Sequence, residues 1–268
     1  ALLRHPSRPG GSLRLLLMDG VVLARRLLGE FLGTALLVAA VVGSGIAAVR
    51  LSPGTVGLEL FENAAATAGA LVAIILAIGP VSGAHLNPVV TLADRIFGGI
   101  STRATVGYIG AQLVGAWVGA VIGNLMFSRV ALELSTKTRS GGGLWLAEAV
   151  ATFGLLLVIF GVTRSGRSSA APFAVGAYIG GAYFFTASTS FANPAVTFGR
   201  MFSDTFAGIR PSSAPAFVIA QLAGAGLAVG AIWALYPRVA EVAAEVVMPH
   251  ASEARETAAP FAPGGSVR

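Results

Sequence analysis

Two Asn-Pro dipeptides, which begin at Asn87 and Asn193, constrain this chain more than any other feature of its sequence. Each follows a few residues with no helical pattern and precedes an apolar stretch that soon fades. Asn is a favoured helix N-cap, and Pro at the first helical position loses nothing, because its missing N–H would have had no partner there. The sequence therefore predicts two short helices, over 87–98 and 193–203.

The rest of the chain is too apolar for a water-soluble domain. Of its 268 residues, 55% are hydrophobic and 11% are charged, and the mean hydropathy is +0.78. A soluble domain carries about 25% charged residues. The composition therefore predicts an all-α integral membrane protein in contact with the lipid bilayer. The net charge of +6 fits basic loops beside a membrane, and we predict no nucleic-acid partner.

A membrane-spanning helix needs about 20 apolar residues, and six stretches approach that length. They are roughly 23–49, 58–79, 104–127, 144–163, 171–187 and 213–236. The two Asn-Pro helices are too short to span, so we predict re-entrant half-helices. A polar loop over 128–142 separates the two groups of three spans. We predict that the tail 1–22 is disordered or lies on the surface, and that the tail 238–268 is partly disordered.

The two groups, 23–127 and 143–237, repeat the same landmarks in the same order. The landmarks are Glu30 and Glu148, Asn87 and Asn193, and Gln112 and Gln221. Each repeat has three spans, an odd number, so the second must enter the membrane from the opposite side. The sequence therefore predicts an inverted repeat in which the half-helices meet, N-terminus to N-terminus, near the midplane.

Irregular backbone at membrane depth is tolerated only where it lines a cavity or is buried in protein. We therefore expect the loops before the half-helices to turn carbonyl groups into a cavity. The predicted lining residues are Gly83, Ala84, His85, Thr189 and Phe191. The two Asn side chains would supply donors, and the facing positive helix ends would repel cations.

Glu30 and Glu148 fall inside the first span of each predicted repeat. A proton relay is one interpretation, but their symmetric placement favours hydrogen bonds that brace the re-entrant loops. His85 lacks neighbouring ligands for a metal site. Cysteine is absent, which excludes thiolate sites, and no cofactor motif or nucleophile–base pair is visible. We expect no metal, no cofactor and no enzyme activity.

Two Asn-Pro-Ala-type boxes on half-helices, in two three-span repeats, resemble the aquaporin or major intrinsic protein family. The boxes are Asn87-Pro88-Val89 and Asn193-Pro194-Ala195. The Ser-Gly-Ala-His before the first box and the Glu in the first span of each repeat fit as well. The resemblance covers about 23–237. It implies passive conduction of water or small neutral solutes, one pore per subunit, and a homotetramer.

The selectivity filter departs from the family pattern. Family members usually have Arg directly after the second box, where this chain has Val196. Carried over by spacing, two further filter positions are Thr67 and Ser190. The fourth is Gly181 when counted back from the second box, or Tyr183 when counted forward from the start of its span. We favour Tyr183.

A filter without its Arg loses a fixed charge and a fork of donors, so it should be wider and more apolar. Polyols, urea and undissociated metalloid acids such as arsenous acid become candidate solutes, and the chain is similar to the bacterial subgroup associated with arsenical efflux. A general glycerol and water facilitator is the alternative within the family, although Thr197 stands where glycerol-selecting members tend to have Asp. An inverted-repeat secondary transporter is the alternative from another class.

Arg200 lies one helical turn after Val196, on the same face. It is either a displaced charge near the outer mouth or, as we favour, a side chain that snorkels to the interface. Twelve arginines fall on one side of the predicted membrane, and six arginines and lysines fall on the other. This bias predicts a multi-pass protein of the cell inner membrane, with both termini cytoplasmic.

Overall fold

The computed structural model of this chain describes residues 10–236, with side chains from residue 20 onward. Eight α-helices make up this part of the chain, and no strand occurs in it. They are α1 (Gly10–Leu51), α2 (Val56–Ser82), α3 (Pro88–Phe97), α4 (Thr102–Met126), α5 (Gly142–Arg164), α6 (Ala171–Phe185), α7 (Pro194–Arg200) and α8 (Ala214–Leu235).

Five of these helices, α1, α2, α4, α5 and α8, are long and apolar enough to cross a membrane. The sixth predicted span is α6, which has only 15 residues and follows a turn of 3₁₀ helix at Ser168–Ala170. At a rise of about 1.5 Å per residue, α6 measures about 22 Å. The all-helical architecture agrees with the sequence prediction, with one span shorter than expected.

The helices pack as two equivalent groups. Helix α1 packs against α2 and α4, and α5 packs in the same way against α6 and α8. Each half-helix crosses to the other group, because α3 packs against α8 and α7 packs against α4. The two groups that the sequence predicted therefore have equivalent helix contacts. The two half-helices connect one group to the other.

Close contact between the long helices depends on two glycines at equivalent places. A Cβ at Gly115 would collide with the carbonyl oxygen of Phe31, and a Cβ at Gly224 would collide with that of Ala149. Small residues allow membrane helices to approach closely, and dispersion contacts then hold them together. These glycines set the spacing between the first and last helix of each group.

Several boundaries differ from the prediction. Helix α1 begins at Gly10, inside the predicted tail 1–22, because Leu and Arg continue the helical sequence upstream of the span. Helix α7 ends at Arg200 rather than at residue 203. Residues 1–9, which are part of the predicted N-terminal tail, and residues 237–268, which contain the whole predicted C-terminal tail, lie outside the described residues.

Candidate functional site

The two half-helices begin at the predicted asparagines and meet through them. The Asn87 side chain accepts from Val89 N at 3.1 Å, and the Asn193 side chain accepts from Ala195 N at 2.9 Å, so each caps its own helix. Their amide groups cross over. Asn87 Nδ2 donates to Ala192 O, and Asn193 Nδ2 donates to Leu86 O, both at 2.8 Å. Each cap therefore also holds the opposite loop.

The loops before the caps have unusual backbone geometry. Ala84, Leu86, Ser190 and Ala192 all have φ close to +50°. This left-handed region is unfavourable for residues other than glycine, so the surrounding structure must hold the backbone there. The alternating conformation turns successive peptide groups in different directions. As a result, neighbouring peptide groups of these loops do not all point to the same side of the chain.

Buried carboxylates accept those N–H groups. Glu30 accepts from His85 N at 2.9 Å and Leu86 N at 2.7 Å. Glu148 accepts from Phe191 N and Ala192 N, both at 2.9 Å. Both glutamates are fully buried. These hydrogen bonds are the loop bracing that the symmetric placement of the two residues suggested.

A Gln and a Thr complete each brace. Gln112 Nε2 donates to Glu30 Oε2 at 2.8 Å and to Thr91 Oγ1 at 3.0 Å. Gln221 Nε2 donates to Glu148 Oε2 at 2.6 Å and to Thr197 Oγ1 at 2.9 Å. Thr197 is fully buried and is thus part of the scaffold rather than of the cavity wall.

A cavity lies between the long helices, and both caps open onto it. Its polar surface comes from the half-helices, the loops before them, and one residue each of α2 and α6, while the rest of its wall is apolar. The polar lining residues are Thr67, His85, Asn87, Tyr183, Ser190, Asn193 and Arg200. The apolar wall, which sequence reasoning did not identify, includes Leu37, Val41, Leu71, Ile159, Val175 and Ile179. A polar stripe facing an apolar wall suits solutes that have hydroxyl groups on a carbon skeleton.

Four of the five candidate filter residues lie together at one end of this cavity. Thr67, Tyr183, Ser190 and Val196 all line it, and Thr67 Oγ1 lies 3.2 Å from Tyr183 Oη. Gly181 does not line it and is exposed on the outer surface of α6. The alternative at Gly181 is therefore wrong. Two residues along a helix correspond to about 200° of rotation, so Gly181 and Tyr183 face opposite directions.

Two of the predicted lining carbonyls are not in the lining. Gly83 is the C-cap of α2 and donates its N–H to Gly79 O at 2.8 Å, so it still belongs to the helix end. Thr189 belongs to a turn closed by its N–H to Thr186 O at 3.1 Å. Ala84, His85 and Phe191 do line the cavity. Each loop therefore reaches the cavity only after its first turn is complete.

The remaining box residues have structural positions. Val89 and Ala195 are fully buried in the main hydrophobic core, and Pro88 and Pro194 begin the two half-helices. None of these four lines the cavity. The substitution of Val for Ala in the first box is therefore accommodated by packing, away from the solute path.

Arg200 does not snorkel to the surface. Its side chain is only 1% exposed, and it lines the same end of the cavity as Val196. Arg200 Nε donates to Ala207 O, and Cζ lies 3.4 Å from the centroid of the Phe191 ring. The favoured interpretation of this residue was wrong, because the loop 201–213 folds over the end of α7 and offers carbonyl partners there.

Two more cations, which sequence reasoning left in the connecting loop, lie beside Arg200. Arg139 Cζ is 5.0 Å from the Phe191 ring centroid, and Lys137 Nζ donates to Phe206 O at 2.7 Å. Burial and the charge of Arg139 lower the pKa of Lys137 to about 8. Burial lowers the pKa of Arg139 to about 10, which leaves it charged at neutral pH. The only sequence signal for this cluster was the pair of basic residues near the end of the loop.

The other end of the cavity has different chemistry. His85 Nδ1 lies 3.1 Å from Thr91 Oγ1, and His85 Nε2 lies 3.5 Å from Asp94 Oδ2. The ring of Tyr108 packs edge-on against His85, with the centroids 5.2 Å apart. Asp94 is fully buried. Sequence reasoning did not identify Asp94, because Asp and Glu are common near the start of a helix. Nothing in the sequence indicated that this carboxylate is buried.

Comparison with known proteins agrees with this geometry. Residues 18–191 match the family described as Major intrinsic protein. The chain belongs to the major intrinsic protein family. Aquaglyceroporin AqpS of Rhizobium meliloti is 48% identical over 216 residues, which cover 80% of this chain and 92% of that protein. The probable aquaporin AqpM of Archaeoglobus fulgidus is 32% identical, over 80% of this chain and 96% of its own length.

A solved structure supports the same fold. The X-ray structure of the aquaglyceroporin from Plasmodium falciparum matches with a TM-score of 0.60 and 23% sequence identity, over 81% of this chain and 98% of its own. At this identity the likeness concerns the fold alone. As a member of the major intrinsic protein family, this chain is a multi-pass membrane protein and a passive channel, not an enzyme.

Proposed function

We propose that this major intrinsic protein is a passive channel for small uncharged solutes: water, glycerol-like polyols, and undissociated metalloid acids such as arsenous acid. Its selectivity filter consists of Thr67, Tyr183, Ser190 and Val196, and it lacks an arginine at the usual position. The carbonyl groups of Ala84, His85 and Phe191 and the amides of Asn87 and Asn193 provide the polar path through the pore.

One observation carries this proposal. At the filter end of the cavity, Val196 presents an apolar side chain to the solute path, while the nearest guanidinium of α7, on Arg200, is held against Phe191 and Ala207 O. An arginine at position 196 would add bulk and up to five donors there. Its absence leaves room for solutes larger than water, and the apolar wall opposite lowers the cost of passing their carbon skeletons.

The names of the relatives point in the same direction. An aquaglyceroporin is the relative that shares 48% identity over most of both chains. A general glycerol and water facilitator is the alternative in the same family. Against it, Thr197 contacts Asn193 O at 2.8 Å and Gln221 instead of offering a free carboxylate near the path.

A secondary transporter that is coupled to ions usually has carboxylates at its central site. The carboxylates at the equivalent places in the two repeats, Glu30 and Glu148, accept hydrogen bonds from loop N–H groups and from Gln side chains. This arrangement supports a fixed pore. A flux that rises linearly with solute concentration fits the pore, and a saturable, ion-dependent flux fits the transporter.

Two further features of the proposal rest on the sequence. The excess of arginine on one side of the membrane supports an inner-membrane protein with both termini in the cytoplasm. Family membership supports a homotetramer with one pore in each subunit.

The proposal is tested by stopped-flow light scattering on proteoliposomes. The solutes are water, glycerol and arsenous acid, and the proteins are the wild type, Val196→Arg and the control Val196→Leu. We expect the wild type to pass all three. Val196→Arg should keep its water flux and lose at least about tenfold in glycerol and arsenous acid flux, because about 1.4 kcal/mol of added barrier is tenfold in rate.

Val196→Leu adds bulk without charge or donors, so it separates size from chemistry. We expect it to lose much less glycerol flux than Val196→Arg. A wild-type protein that passes water alone would overturn the proposed solute range and leave the fold unaffected. In that case Tyr183 narrows the filter more than the missing arginine widens it.

A further inference from the structure

A cluster of positive charge lies beside the filter, and only part of it comes from the half-helix. Phe191 lines the cavity, and two guanidinium groups lie against its ring: Arg200 at 3.4 Å and Arg139 at 5.0 Å from the ring centroid. Arg139 belongs to the loop between α4 and α5, far from the filter residues in sequence. The connecting loop therefore brings a second cation against the ring of Phe191, which lines the cavity.

Arg139 is held in place by backbone carbonyl groups. Its guanidinium donates to Gly208 O at 2.9 Å, Phe206 O at 3.3 Å and Ser188 O at 3.4 Å. The side chain is only 9% exposed. None of these partners carries a formal charge, so the positive charge of Arg139 is not neutralised by a salt bridge. A buried charge that is paired only with dipoles keeps a strong local field.

The acids that face this cluster do not balance it. Lys137, Arg139 and Arg200 lie close enough to influence one another, and Glu59 and Glu148 are the carboxylates within electrostatic reach. Glu148 is engaged with loop N–H groups, and Glu59 accepts from Gly54 N at 3.0 Å near the start of α2. The filter end is therefore net positive, although Val196 has removed the usual source of that charge.

We propose that Arg139 is a specificity-determining residue of this channel: its charge, acting through Phe191 together with Arg200, excludes cations from a filter that is wide enough for larger neutral solutes. This inference rests on the proposed channel function and deepens it. In an arginine filter, one side chain both narrows the pore and repels cations. Here the two tasks are divided between residues, because the side chain at position 196 is apolar and the positive charge lies on Arg200 and Arg139, against the ring of Phe191.

A comparison of the fluxes of urea and guanidinium tests this proposal directly. The two molecules have similar planar shapes and differ in charge. The ratio of guanidinium flux to urea flux is measured in phosphatidylcholine proteoliposomes, with valinomycin and internal K⁺ to compensate the charge. The variants are Arg139→Gln, Arg139→Lys and, as a matched control from the same loop, Arg129→Gln. Arg129 pairs with Glu133 at 2.8 Å and is partly exposed.

We expect the ratio to rise about tenfold in Arg139→Gln and to stay near the wild-type value in Arg139→Lys, because a charge difference worth about 1.4 kcal/mol changes a rate tenfold. Arg129→Gln should match the wild type. The half-helix dipoles remain in all variants, so the rise is limited.

Two outcomes would overturn the inference. An unchanged ratio in Arg139→Gln means that the charge does not reach the path. A ratio that rises equally in Arg139→Gln and Arg139→Lys means that Arg139 acts only by holding the loop carbonyls. If the wild type passes neither urea nor glycerol, the proposed function fails instead, and that result is visible before any variant is compared.

Discussion

The two loops that lead into α3 and α7 are held by the same hydrogen bonds and yet present different chemistry to the cavity. In each, a buried Glu accepts two backbone N–H groups, a Gln links that Glu to a Thr, and an Asn caps the half-helix and reaches across to the other loop. Beyond this shared frame, one loop has His85 facing Asp94, and the other has Phe191 between two arginines. The two loops therefore share the hydrogen bonds that hold their backbones and differ in the side chains beside the cavity.

The sharpest test of this shared hydrogen-bond network is to replace one carboxylate oxygen of Glu30 or Glu148 by an amide group. Glu30→Gln and Glu148→Gln should each lower the free energy of unfolding by about 3 kcal/mol, since an amide leaves one buried backbone N–H without an acceptor. Melting temperatures in detergent, from fluorescence-detected size-exclusion chromatography, measure the loss. Glu133→Gln, in the exposed loop pair with Arg129, is the control and should change little. A large loss in one brace variant alone would show that the frame is not symmetric.

The next test concerns the helix spacing that both groups share. Gly115→Ala and Gly224→Ala should each destabilise the protein by about 2 kcal/mol, because the added methyl group meets a backbone carbonyl that cannot move aside cheaply. The matched controls are Gly110→Ala on α4 and Gly226→Ala on α8, where nothing lies within 4 Å of the new Cβ. These two should be neutral or slightly stabilising, since Ala is the better helix former. Equal melting temperatures for the contact and control variants would contradict the close approach of these helices at Gly115 and Gly224.

The smallest expected effect concerns the positive charge that lies beside Val196, at one of the two ends of the cavity. The pKa of Lys137 is about 8, so its charge is present at pH 7 and largely lost at pH 9, whereas Arg139, with a pKa of about 10, stays mostly charged. The guanidinium-to-urea flux ratio should therefore rise about twofold from pH 7 to pH 9, as one of three clustered charges disappears. Glu59 and Arg200 also face Lys137 and are present in every variant.

Lys137→Arg keeps the charge at both pH values and should abolish the rise. Neither urea nor guanidinium changes its charge in this range, so the ratio reports the protein alone. A rise of the same size in Lys137→Arg would assign the pH dependence to another group and leave Lys137 without a role in selectivity.

Much of this molecule follows from local sequence. The Asn-Pro pairs begin helices wherever they stand, because capping and the proline ring act within one turn. Long apolar stretches predict spans, and paired landmarks predict the repeat. The candidate filter residues Thr67, Ser190 and Val196 were predicted from their sequence distance to the two Asn caps, and all three line the cavity. The sequence by itself thus determined the helices, their order and the residues near the caps.

Only the tertiary structure decided which side chains face the cavity and what surrounds them. Tyr183 rather than Gly181 lines it because of the rotation of α6, a single angle that no local pattern specifies. Arg200 is buried, and Arg139 joins it, because two irregular loops fold together through backbone hydrogen bonds such as Arg210 N to Lys137 O at 2.8 Å. Loops without periodicity carry no sequence signal for their partners, so the proximity of Arg139 and Arg200 could be identified only from the tertiary structure.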